Sequence, residues 1–70
     1  MDKLKRTAEE LEEIVKQRIG AGDFRVTVHR NLEIGWHATI YGNQPSEVHR
    51  CQVMADTIVA ELTQHYELDQ

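Results

Sequence analysis

From Phe24 to Tyr41 the chain alternates, and no other feature limits its possible folds as strongly. Phe24, Val26 and Val28 interleave with Arg25, Thr27 and His29. Further on, Ile34, Trp36, Ala38 and Ile40 interleave with Glu33, Gly35, His37, Thr39 and Tyr41. Period two in β-branched and aromatic residues is the pattern of half-buried strands. The stretch is predicted to be a β-hairpin with its even-numbered residues on a core and its odd-numbered residues on an open face.

Register follows from keeping both apolar sets on one side. The tightest arrangement pairs Val28 with Ile34, Val26 with Trp36 and Phe24 with Ala38 around Arg30-Asn31-Leu32. A slip of one residue would turn one set over. Asn31 suits a turn because it takes positive φ more cheaply than most residues. The Asn-Gly signal of the tightest hairpins is absent, so a looser turn also fits. Trp36 falls on the core face and reads as an anchor rather than a stacking platform.

The flanking segments have helical spacing. Residues 3–19 carry Leu4, Ala8, Leu11, Ile14, Val15 and Ile19 as one stripe. Glu12 and Lys16 stand at i,i+4, and Glu9, Glu10, Glu12 and Glu13 read as a solvated side. Gly20-Ala21-Gly22 ends this helix, with a left-handed glycine cap expected. A second helix is predicted from about Pro45 to Tyr66, capped by Asn43, Gln44 or Ser46. Its core stripe is Val48, Cys51, Ala55, Ile58, Val59, Leu62 and Tyr66, with Met54 at the margin. Cys51 reads as a small buried hydrophobe. The tail from Glu67 to Gln70 is expected to fray. The predicted fold class is α+β: one domain over residues 1–70, ordered α-β-β-α, its antiparallel hairpin covered on one face by two helices.

Composition narrows the function classes. A core built from 70 residues seldom supplies more than about 3–5 kcal/mol without a staple or a partner. The single cysteine excludes an internal disulfide and fits a reducing cytoplasm. No stretch is apolar and long enough to cross a bilayer. The net charge is −4, and the acidity is concentrated late, where Arg50 stands against Glu47, Asp56, Glu61, Glu67 and Asp69. Binding of nucleic acid by bulk charge, which needs clustered Lys and Arg, is disfavoured.

In the tightest register His29 faces Glu33 and Arg25 faces His37. Two histidines and a carboxylate, with His49 in possible reach, have the residue types of a zinc set, but a flat two-stranded face offers no shaped, dry pocket. They read instead as cross-strand polar pairs. No catalytic residue, metal or cofactor is assigned, and an enzyme is not expected. Arg25, His29, Arg30, Glu33, His37 and Tyr41, with Arg50 beside them, form the candidate binding surface.

The first functional reading is a non-enzymatic, regulatory or protein-binding module acting as a homodimer. Neither strand edge contains proline or lysine to blunt it, so two chains can join into a four-stranded sheet with four helices on one face. A dimer through Val53, Thr57 and Ala60 on the second helix is the alternative, and a monomer with helix-protected edges the third. The second functional reading is weak nucleic-acid binding through Arg25, His29, Arg30, His37 and Arg50. The helix–strand–strand–helix order resembles a shortened double-stranded-RNA-binding domain, which has a third strand before its last helix. That family opens its C-terminal helix with a lysine-rich phosphate-binding motif; the corresponding stretch here is Ser46-Glu47-Val48-His49-Arg50.

Overall fold

The computed structural model describes residues 3–69. Its elements are β1 (Leu4–Arg6), α1 (Ala8–Ile19), β2 (Phe24–Asn31), β3 (Gly35–Gly42), α2 (Pro45–Leu62) and β4 (Tyr66–Leu68). The α+β class and the helix-covered hairpin are as expected. The two ends are not: β1 and β4 pair in parallel, Leu4 with Tyr66 and Arg6 with Leu68.

The first helix starts at Ala8 because Thr7 caps it. The Thr7 hydroxyl accepts from Glu10 N at 3.2 Å, and the Glu10 carboxylate accepts from Thr7 N at 3.0 Å. This reciprocal capping box is written in the sequence as Thr-x-x-Glu. Leu4 therefore leaves the predicted helical stripe and is exposed in β1. Leu11 and Val15 are fully buried, with Ala8, Ile14 and Ile19 packed around them. Glu12 does not pair with Lys16; the Lys16 ammonium sits 5.8 Å from the Phe24 ring centroid. The helix ends at Gly20, whose φ of 109° and ψ of −168° belong to a region open essentially to glycine alone, and not to the predicted left-handed cap.

Removing the cap by Thr7→Ala is expected to cost about 1 kcal/mol, read as a lower urea midpoint. The same motif gives a pH effect. The Thr7 backbone N–H holds the Glu10 carboxyl below its ordinary value of 4.5; desolvation opposes it, and the Thr7 hydroxyl and the Arg6 charge add to the lowering. A lowered carboxyl stabilises the fold above its unfolded-state value and loses that contribution as pH falls through its folded-state value. Thermal melts of the wild type should therefore show an acid loss in this range that Glu10→Gln lacks.

The hairpin register differs from the tightest one. Val26 pairs with Ile40 and Val28 with Ala38, so His29 faces His37 and Arg25 faces Tyr41. The apolar face is as predicted, with Phe24, Val26, Val28, Trp36, Ala38 and Ile40 all buried. Ile34 is the exception; it lies in the turn and is 45% exposed, next to Leu32 at 97%. Asn31 shapes this turn without positive φ. Its side-chain oxygen accepts from Glu33 N at 2.8 Å and Ile34 N at 3.1 Å. Gly35 takes the positive φ, 102°.

Helix α2 begins at Pro45 behind Gln44, which makes no side-chain cap bond. Cys51, Ala55, Ile58, Val59 and Leu62 are buried as predicted, and Val48 is packed at the rim. The helix stops at Leu62, four residues before the predicted end. His65 N then bonds to Leu62 O at 2.9 Å, turning the chain into β4. Tyr66 thus serves the core from a strand, and Glu67 and Leu68 are paired rather than frayed; Gln70 lies outside the described residues. α1 packs chiefly on β2 and α2 on β3.

Candidate functional site

The odd-numbered hairpin residues form a face that neither helix covers. Across its two strands stand Arg25 and Tyr41, Thr27 and Thr39, and His29 and His37. Tyr41 is 56% exposed. Arg25 and His29 are also exposed, and His37, Thr27 and Thr39 are half-buried. None of the paired strand residues on this face is acidic.

The rings of His29 and His37 lie 5.8 Å apart, tilted by 51°. His29 Nε2 is 2.9 Å from Thr39 Oγ1. His37 reaches over the outer edge of β3, placing Nε2 3.1 Å from Asp56 Oδ1 on α2. An ionised carboxylate only accepts, so in this bond His37 Nε2 carries the proton. Asp56 is held in turn by Gln52, whose Nε2 donates to Asp56 Oδ1 at 2.9 Å.

Gln52 also guards the sheet. Its Nε2 donates to Ala38 O at 3.0 Å and its Oε1 accepts from Ile40 N at 2.9 Å. The side-chain amide thereby stands in for a neighbouring strand on the outer edge of β3. On the opposite edge the Glu12 carboxylate accepts from Val28 N at 2.8 Å, a short charge-assisted bond. The expectation that nothing blunts the edges is therefore corrected, and so is the reading of Glu12 as merely solvated. Each helix sends one polar side chain to the middle of the strand it covers.

The remaining candidate residues separate. Arg30 stands opposite Trp36 at the turn end of the hairpin, and Glu33 lies in the turn. Arg50 is not beside the open face; it lines a groove of about 270 Å³ with Ile19, Cys51 and Met54, between the ends of the two helices. Val53, Thr57 and Ala60 are exposed along α2, Val53 at 53%. A cleft of about 460 Å³ opens at the base of the hairpin beside Asp23, Arg25, Tyr41 and Asn43. Another, of about 310 Å³, separates the turn from β4 and is lined by Ile34, Trp36, Tyr66 and Leu68 among others.

Sequence reasoning missed Glu12, Gln52 and Asp56. The only signal for the last two is their i,i+4 spacing beside the core stripe, a pattern common on any helix surface. Among the described residues, no three or more His, Cys, Asp or Glu side chains form a metal-binding group. No helix of the described residues is long and apolar enough to cross a membrane. Comparison with family profiles, with curated proteins and with solved structures returned no match. The outline likeness to a double-stranded-RNA-binding domain gains no support from these comparisons.

Proposed function

We propose that this chain is a non-enzymatic interaction module that seats a second copy of itself on α2 and offers the bare hairpin face to a partner polypeptide. The observation that carries this reading is the contrast between guarded edges and an unguarded face. Glu12 and Gln52 engage the outer backbone groups at mid-strand, which disfavours the edge-to-edge dimer. The exposed strip of Val53, Thr57 and Ala60 remains for an isologous contact, in which an antiparallel α2 would bring Val53 of one copy towards Ala60 of the other. The face itself carries Arg25, His29, His37 and Tyr41 without a strand carboxylate, a composition suited to a neutral or acidic surface.

Sedimentation equilibrium over a wide concentration range tests the self-association. A dimer is expected, returning to monomer in Val53→Glu and Ala60→Glu and persisting in Arg25→Glu. A monomer at every concentration would overturn it. The absence of acid among the paired strand residues of the face, with exposed Arg25 opposite Tyr41, also favours a second reading, weak binding of nucleic acid. That reading requires affinity for an RNA duplex that falls with salt and with Arg25→Glu and Arg30→Glu. Binding indifferent to both would rule it out.

A further inference from the structure

The geometry points to a two-histidine site for a divalent late first-row metal ion on the open face, formed by His29 and His37 and oriented by Asp56 and Thr39. The hairpin register sets the two imidazoles directly across from one another. Zinc binds imidazole nitrogen at about 2.0–2.1 Å, so two rings sharing an ion have centroids roughly 5–6 Å apart. The observed separation is 5.8 Å.

The outer nitrogens carry the stronger argument. A ligating histidine almost always gives its other ring N–H to a carboxylate, a carbonyl or water, which fixes the tautomer and raises the basicity of the ligating nitrogen. His37 has that partner already: its Nε2–H points to Asp56 Oδ1, leaving the lone pair on Nδ1. Asp56 is held by Gln52, and Gln52 is pinned to the backbone of Ala38 and Ile40. The orientation of the His37 ring is thus traceable to β3 itself. His29 has Thr39 on its Nε2, and donation to that hydroxyl likewise frees Nδ1.

Two protein ligands on an uncovered face leave the other coordination positions to water. Imidazole suits zinc, nickel and copper, and affinity rises towards copper. Such a site binds an ion in an open position; the flat surroundings supply none of the shaped, dry cavity that metal-assisted hydrolysis needs.

The test is titration of the chelator-stripped full chain with zinc chloride, followed by calorimetry and by NMR. Saturation at one ion per chain is expected, with the largest shifts in β2, β3 and Asp56. His29→Gln and His37→Gln should each weaken binding at least tenfold, and Asp56→Asn about tenfold, the lower end for an outer partner. His49→Gln and His65→Gln should leave it unchanged. Absence of saturation up to millimolar zinc would overturn the site. So would shifts centred away from the hairpin, or affinity that follows His49 or His65; the wild-type shift map decides even where a variant fails to fold.

Discussion

Replacing Trp36 by alanine is expected to leave most of the protein unfolded in plain buffer at room temperature. Trp36 is the largest of the fully buried side chains, with 1% of its surface exposed. Truncating such a residue costs about 3–5 kcal/mol, through lost transfer energy and the cavity left behind. A core of this size supplies about the same amount in total. The indole does a second job. Its Nε1–H donates to Tyr66 O at 3.1 Å, tying the start of β3 to β4, and β4 in turn holds β1. Trp36→Phe separates the two contributions. It keeps most of the apolar volume but drops the tie, which is worth about 0.5–1.5 kcal/mol net, more where the Tyr66 carbonyl stays dry. Far-UV circular dichroism and urea titration read both variants. A Trp36→Ala protein with a cooperative transition near the wild-type midpoint would show that the core does not depend on this end of the hairpin.

The second large effect is expected at Gln52. Changing it to leucine removes the bonds to Ile40 N, Ala38 O and Asp56 Oδ1 together. The loss should be about 1–3 kcal/mol, because an edge that water can reach recovers part of what the amide supplied. The variant should also associate further than the wild type, since its β3 edge now presents a free donor and acceptor to another strand. Gln52→Glu is the informative companion. It keeps an acceptor for Ile40 N, loses the donor to Ala38 O and sets a second carboxylate beside Asp56. Hydrogen exchange at the Ile40 amide, with sedimentation velocity for the mass, measures the clamp directly. An Ile40 amide protected equally in Gln52→Leu would mean that backbone packing alone shields this edge.

These expectations also bear on the open face. Asp56 loses its brace in Gln52→Leu, so the His37 contact should loosen while the strand ladder between His29 and His37 persists. A variant that alters the edge, the His37 ring and the metal affinity in one step would tie all three to the same amide. Independent responses would place the ring's orientation in Asp56 alone.

The residues of the candidate face were legible because parity decides which side a strand residue takes. Arg25, His29, His37 and Tyr41 stand on one face in any register that buries Val26 and Ile40. Their cross-strand partners were not legible. Moving from the pairing of Val26 with Trp36 to that with Ile40 preserves parity, so period two is blind to the difference. What separates the two is turn geometry. Asn31 accepts two backbone N–H groups and Gly35 supplies the positive φ, so the loop runs through Leu32, Glu33 and Ile34. Ile34, which the alternation would bury, is left at the surface.

By itself the sequence determined what is local: the buried face of the hairpin, the core stripes of α1 and α2 and the burial of Cys51. Each depends on spacing along one segment, and burial of apolar area enforces it wherever the segment lands. The tertiary structure alone decided the parallel pairing of β1 with β4 and the early stop of α2. Segments of three residues have too little local preference to choose strand over helix or fray, and their partners lie at opposite ends of the chain. It also decided what Glu12 and Gln52 do. A polar residue on a helix surface is indifferent to its sequence neighbours, and these two acquire a role only because packing brings each helix within reach of an unpaired strand edge.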